Sequence, residues 1–358
     1  TTCMLKISRI LSFSLFLSLG IYGAFQIPDL KFSFDFEQFF PEGDEDLAFF
    51  QEFIRSFETD DNFLMIAVKR ESGVFEQDFL EKFHEFSLEA RDLPHVVSAQ
   101  SLTKLTYPVR TPFGVIGTPM IHIDQPEKYD ADKKRILGDD RFVNTLIDEQ
   151  AKSMVVFLKL VNSINLDQAT ELMDVLQPRL DTYNFETYHM LGRPYFQTEL
   201  VDMQKREIIF SAIVSGVLVT IVMLLIFRRI WGIGIAIASI GMGILLFIGF
   251  MGFAGREFSA MAALYPVLMI IVGTSDVIHI MSKYIDELRK GKDLVSAIRV
   301  TIREIGLATL LTSLTTAVGF ASLFTSRIAP IRDFGVNAAV GVLLAYITVV
   351  GFTTALLT

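Results

Sequence analysis

Asp276 is a carboxylate that a membrane-crossing segment cannot carry without compensation. It lies deep in the apolar run LYPVLMIIVGTSDVIHIMSKY, residues 264–284. A charged side chain at the centre of a membrane-crossing helix costs about 2.5–3.5 kcal/mol on the insertion scale. His279 follows three residues later, at a spacing that puts its ring on the same side of a helix. Gly273 permits close approach by a neighbouring helix, and Pro266 frees a backbone carbonyl. A buried carboxylate balanced between desolvation and a nearby cation takes up and releases a proton. The chemistry expected at Asp276 is therefore proton transfer inside the membrane, with His279 beside it.

A second apolar run, LATLLTSLTTAVGF (residues 307–320), carries Thr309, Thr312, Ser313, Thr315 and Thr316. Hydroxyls at this density either hydrate a polar seam or bond back to their own helix carbonyls and pack against neighbours. Asn337 in the following run is expected to face the same seam.

Other chemistry is not encoded. His84, His95, His122 and His189 are spread through the chain without a metal-ligand spacing. Met154, Met173, Met190 and Met203 offer soft ligands, but scattered methionine reads as core filler. No GxxxxGK[ST] phosphate loop occurs, so ATP is not expected to power the protein directly. No nucleophile–base set appears, and neither an enzyme, a metal site nor an organic cofactor is expected; protons would be the coupling ion.

The elements that must position Asp276 are legible from hydropathy and charge. The chain has 358 residues, 51% of them apolar, and the charge is segregated: residues 26–205 carry a net −15 and the remainder a net +6. Such an acidic segment repels nucleic acid. Five runs have the length of membrane helices, Ile208–Phe227, Ile230–Ala254, Phe258–Met281, Ile305–Thr325 and Phe334–Thr358. A sixth, Ile10–Ile27, follows Lys6 and Arg9 and reads as a retained anchor in preference to a cleaved signal, because Tyr22 is bulky where a small residue is preferred. With the N-terminus inside, Lys6, Arg9, Arg228, Arg229, Lys283, Arg289, Lys290, Lys292, Arg299 and Arg303 are cytoplasmic, against Arg256, Arg327 and Arg332 outside. The expected order is membrane helix 1 (residues 1–27), an extracytoplasmic domain (28–205) and membrane helices 2–6 (206–358), with a basic cytoplasmic helix at 283–304. The chain starts Thr1-Thr2 and its last run reaches Thr358 without a basic flank, so a cut from something longer is expected.

Within the acidic domain, Asn62–Lys69 and Ser153–Leu160 have strand character, each followed by an amphipathic helical stretch, Phe75–Leu93 and Leu166–Leu180, and a further strand, Val96–Leu102 and Phe185–Met190. Strand–helix–strand written twice predicts an α+β ferredoxin-like sandwich, with the Pro- and Gly-bearing stretch Tyr107–Gln125 as a loop or hairpin insertion. Phe39, Phe40, Phe49, Phe50, Phe53 and Phe57 crowd a short helix before the first strand. These rings either line a path for a greasy substrate or pack the helix on the sheet or on the bilayer surface.

Helix, outside domain, then five helices resembles one half of a resistance–nodulation–division (RND) superfamily transporter. The sequence Gly273-Thr-Ser-Asp276 followed by VIHIMSKY resembles the Gly-x-x-Asp proton-relay helix of that superfamily. LLTSLTTAVGFASL and PIRDFGVNAAVGVLLAY are similar to the matching helices of MmpL-like exporters and of Patched-type sterol-sensing bundles, and FPEGDEDLAFF with DNFLMIAV is similar to the hydrophobe/amphiphile exporters. The resemblance implies proton-driven export of hydrophobic or amphiphilic, lipid-like molecules at the cytoplasmic (inner) membrane through an outside porter domain. It implies Asp276 as the proton carrier, His279, Thr312 and Thr316 as relay partners, a second six-helix half or second copy facing Asp276, and a periplasmic partner. Two departures stand out: Ser275-Asp276 replaces the adjacent acids of many drug pumps, and the outside domain lacks space for a docking domain. A lipid-binding sensor or scaffold, and a protein-export accessory subunit resembling SecD/SecF, are the alternative readings.

Overall fold

The computed structural model describes residues 2–33, 36–57, 62–112, 114–227 and 230–357. The chain divides into two compact units, Thr1–Leu47 with Val201–Thr358, and Ala48–Leu200. In chain order the elements open with helix α1 (Thr2–Phe25) and helix α2 (Glu45–Ser56). Strand β1 (Phe63–Lys69), helix α3 (Gln77–Glu89) and strand β2 (Val96–Gln100) follow. A hairpin of β3 (Thr106–Thr111) and β4 (Gly114–Pro119) leads to helix α4 (Tyr129–Leu137). Then come strand β5 (Ser153–Leu160), helix α5 (Leu166–Tyr183) and strand β6 (Thr187–Gly192).

The sheet of the second unit has the order β2-β5-β1-β6, with each neighbouring pair antiparallel. Each strand–helix–strand unit thus straddles a strand of the other. The alternation of the sequence sets which face is dry. Leu64, Ile66 and Val68 of β1 and Met154, Val156, Leu158 and Leu160 of β5 are buried, and the intervening residues are half-exposed. Phe79, Leu80, Phe83 and Phe86 of α3 and Leu172, Met173, Leu176 and Leu180 of α5 complete this core. The start of α5 is fixed by a capping box in which Asn165 and Gln168 satisfy each other's backbone N–H groups. The Tyr107–Gln125 stretch is a hairpin paired from Thr106↔Pro119 to Thr111↔Gly114, with Phe113 outside the described residues. Met154 and Met173 are core residues, as packing methionines should be.

The other unit is helical. After α6 (Arg193–Phe227) come α7 (Ile230–Phe253), α8 (Leu264–Arg289), α9 (Leu294–Thr301), α10 (Leu307–Ala321) and α11 (Ala329–Thr348). Five helical runs among the described residues are long and apolar enough to cross a membrane, and Arg9–Phe25 is a shorter apolar helix. Helix α1 packs on α7 through glycines: a Cβ on Gly23 would lie 2.0 Å from the Leu245 carbonyl oxygen, and Gly249 makes the reciprocal approach at 3.2 Å to Gly23 Cα. Small residues that let backbones approach are how membrane helices gain contact.

Two expectations are corrected here. Phe258 does not open the fourth span; it pairs with Phe32 in a short β-bridge, its N–H donating to the Lys31 carbonyl at 2.7 Å, and α8 begins at Leu264. The segment 283–304 is not one basic helix. It is the end of α8, a turn at Gly291 with φ +84°, and α9 capped by Asp293, whose carboxylate accepts from the Ser296 N–H. Glu287 explains the turn: it is buried, with Lys283 at 3.1 Å, Lys290 at 2.7 Å and Lys292 at 2.5 Å closing around it. Arg228 and Arg229, and Lys6 with its side chain, lie outside the residues described in this detail.

Candidate functional site

Helix α8 holds Asp276 on the side it turns toward the bundle. Tyr265, Met269, Gly273, Asp276, Val277, Ile280 and Tyr284 recur at helical spacing and are buried. Gly273 lets α7 approach, a Cβ there standing 3.5 Å from Ile240. The Asp276 side chain is 5% exposed, and the Ser313 hydroxyl donates to its Oδ2 at 3.1 Å. Ser313 comes from α10, whose buried residues Thr309, Ser313 and Ala317 form a stripe of small side chains. That stripe brings the α10 backbone close enough for a short hydroxyl to reach the carboxylate.

Both flanking helices depart from regular α geometry. Ile302–Gly306, leading into α10, and Val349–Thr353, following α11, are π-helical. Such single-turn widenings release carbonyls from the ladder and recur at functional sites. The Gly306 carbonyl is used: the Tyr346 hydroxyl of α11 donates to it at 3.1 Å, and Tyr346 lies within electrostatic reach of Asp276.

The expected relay set is only partly assembled. His279 lies within electrostatic reach of Asp276 but is exposed, turned to the outer side of α8. Thr312 and Thr316 are not brought to the carboxylate. Their hydroxyls donate to the Thr309 and Thr312 carbonyls, each at 2.9 Å, and Thr312 is exposed. The reason is helical phase: Thr312 is rotated about 100° from Ser313. Asn337 serves a separate polar node. Its amide donates to the Tyr265 hydroxyl at 3.2 Å, some eleven residues up α8 from Asp276 or about 16 Å along the axis. The sequence signal for Ser313 is its place on the small-residue face formed by Gly306, Thr309, Ser313 and Ala317.

The remaining histidines serve the sheet unit. His95 pairs with Glu171 at 2.8 Å. His122 and Arg135 hold the buried Asp132, through the His122 N–H at 2.8 Å, its ring Nδ1 at 3.0 Å and the Arg135 guanidinium at 2.6 Å. Arg135 also lies 4.1 Å over the Tyr107 ring, so this cluster ties the hairpin to α4. Burial would raise the Asp132 carboxyl, but those donors hold it below its ordinary value.

Comparison with known proteins bears on the whole arrangement. The sequence model of the MMPL family matches residues 91–358, which include both the sheet unit beyond α3 and all of α6 to α11. The chain is also similar to MJ1562 of Methanocaldococcus jannaschii, a protein named as a membrane protein, with 24% identity over 166 residues. That match covers 46% of this chain and 43% of the relative's length.

Proposed function

The chain belongs to the MMPL family, and from that premise we propose that it is a proton-motive-force-driven transporter of lipid-like or other amphiphilic molecules, working as part of a larger membrane assembly. The observation that carries the reading is the buried Asp276 carboxylate, held inside an apolar helix by the Ser313 hydroxyl. A neutral side chain would pack there more cheaply, so a carboxylate at this depth marks a site that works by charge. In the cycle we infer, protonation neutralises Asp276 and loosens its hold on α10. The π segments on either side give α10 and α11 a way to shift register. One elementary charge crossing 100 mV supplies about 2.3 kcal/mol, a usable bias for such a shift.

In this reading α1 is a sixth membrane helix, supported by its glycine-mediated packing on α7. The sheet unit is a ferredoxin-like porter domain outside the cytoplasmic membrane, supported by the strand order β2-β5-β1-β6 and by the basic residues of the α8–α9 turn. A second six-helix half or copy faces the side of α8 that carries Ser275 and His279, both exposed polar residues on a helix otherwise built for lipid.

The test is proton flux in proteoliposomes containing the intact protein, read with an interior pH dye under an imposed gradient, with lipid extracts as candidate cargo. Flux that rises with a lipid fraction and disappears in Asp276→Asn is the expected result. Equal flux in both proteins would remove Asp276 from the mechanism. Absence of flux from a correctly inserted wild type would favour the lipid-binding sensor instead.

A further inference from the structure

Where α8 gives way to α9, the helical unit carries six basic and four acidic side chains between Lys283 and Glu304. All four acids are engaged. Glu287 is closed in by Lys283, Lys290 and Lys292, and the Glu304 carboxylate takes the other side of Lys283 at 2.5 Å. Asp286 lies 3.8 Å from Arg289, and Asp293 caps α9. The two bases left over are Arg299 and Arg303. Both are exposed, and neither has an ion-pair or hydrogen-bond partner among the described residues. They stand one helical turn apart, so their Cβ atoms are about 5–6 Å from each other on one side of the helix. Like charges at that spacing weaken a helix unless an anion lies between them. The residues flanking the pair on that side, Val295, Ser296, Val300 and Leu307, are uncharged.

The height of this pair in the bilayer follows from packing inside the helical unit alone. Ala297 of α9 is buried in one cluster with Ile233 of α7 and with Met281 and Tyr284 of α8, so α9, the start of α7 and the end of α8 share a level. Trp231, the single tryptophan, stands 44% exposed at the start of α7, and tryptophan collects where hydrocarbon meets head groups. Length gives the same height. The helical run Leu294–Thr325 has 32 residues, about 48 Å at 1.5 Å per residue, against a hydrocarbon core of about 30 Å. Counted back from Thr325, about 20 residues fill the core and end near Ile305. Arg303 and Arg299 then fall about 3 Å and about 9 Å beyond it, in the layer of the phosphates. On the core side of the arginines, Ile302 is 37% exposed and Leu307 62% exposed, an apolar wall directly below two free cations.

We propose that Arg299 and Arg303 hold the phosphodiester of an anionic phospholipid, a resident lipid at this end of the bundle and distinct from the Asp276 site. A guanidinium presents paired N–H donors matched to phosphate oxygens, and two of them one turn apart engage one head group together. The acyl chains lie along the exposed side of α10, starting at Leu307. A zwitterionic lipid brings its own cation, which two unpaired arginines repel, whereas an anionic lipid brings none. Free phosphate satisfies the charge but leaves the apolar wall bare, so the surface fits the lipid better than the free anion.

To test this, the intact protein is reconstituted in an equimolar mixture of phosphatidylglycerol and phosphatidylcholine with the same acyl chains. It is then re-extracted in mild detergent, and the lipids it keeps are identified by native mass spectrometry. The wild type is expected to keep phosphatidylglycerol over phosphatidylcholine by about tenfold, the ratio that one charge-assisted hydrogen bond supplies. Arg299→Gln combined with Arg303→Gln should keep the two lipids equally. Arg289→Gln, which removes an exposed arginine of the neighbouring turn, should keep the wild-type ratio. Equal retention by the wild type would overturn the proposal, and so would an undiminished preference in the double variant. An equal loss in Arg289→Gln would also overturn it, since charge at this end would then act only in bulk. Millimolar inorganic phosphate should leave the retained lipid in place; displacement would mark a site for the free anion instead. If the double variant does not fold, salt decides with the wild type alone: the preference should fall as ionic strength rises, and a preference indifferent to salt would sink the idea.

Discussion

At the scale of single residues, the candidate site turns on a one-position difference. Ser313 reaches Asp276, and Thr312, its neighbour, spends its hydroxyl on the Thr309 carbonyl. A hydrogen bond to a charged group contributes about 1.5–3 kcal/mol, so Ser313→Ala is expected to change proton flux on the order of tenfold, whereas Thr312→Ala leaves it near wild type. Flux measured across a pH series checks this, because loss of the Ser313 donor should displace the profile and not only its height. A second residue-scale expectation concerns Asp132, outside the membrane segments. Its carboxyl is held below its ordinary value of 3.8 by His122 and Arg135 against the opposing effect of burial. A lowered carboxyl stabilises the fold at full strength above that value, and the contribution is lost as pH falls through the lowered one. Asp132→Asn should cost about 2 kcal/mol at neutral pH and make the stability of the sheet unit less sensitive to acid below pH ~4. Denaturant titrations of variant and wild type at pH 7 and pH 3 would show the two curves converging in acid.

At the scale of elements, α1 and α7 meet where side chains are missing. A Cβ on Gly23 collides with backbone at 2.0 Å, while one on Gly20 meets the flexible Met242 side chain at 2.7 Å. Gly23→Val is expected to separate the two helices and lower the thermal midpoint of the detergent-solubilised protein by several degrees, whereas Gly20→Ala is tolerated because a methionine can move. Equal midpoints for Gly23→Val and wild type would show that α1 does not depend on this contact. The same logic explains why the 283–304 segment broke. Charge patterning alone favoured one basic helix, but a buried Glu287 needs several lysines around it, and Gly291 supplies the left-handed turn that folds Lys290 and Lys292 back.

At the scale of the whole molecule, an α+β unit and an apolar helical unit are separate folding problems written in one chain. Impermeant thiol labelling in intact cells tests their placement across the membrane. With Cys3→Ser, Asp124→Cys on the sheet unit should label from outside, and Arg289→Cys at the α8–α9 turn should label only after the membrane is opened. Labelling at 289 from outside would invert the topology. The chain spans 43% of the length of the curated relative it matches.

The sequence by itself determined the apolar runs, the acidic segment between them, both β1 and β5 with their alternating burial, and the presence of a carboxylate at mid-helix. Each of these follows from local composition or from a period of two or 3.6 residues, and needs no partner to be read. It also narrowed the fate of the phenylalanines to sheet, bilayer or substrate. Tertiary structure alone decided that α2 leaves its rings open, that Phe258 pairs with Phe32 instead of entering the membrane, and that Asn337 belongs to Tyr265. It alone chose Ser313 from five hydroxyls, because which face of α10 meets α8 depends on how closely two backbones approach. That distance is set by small residues on helices far apart in sequence, and no single-helix pattern contains it.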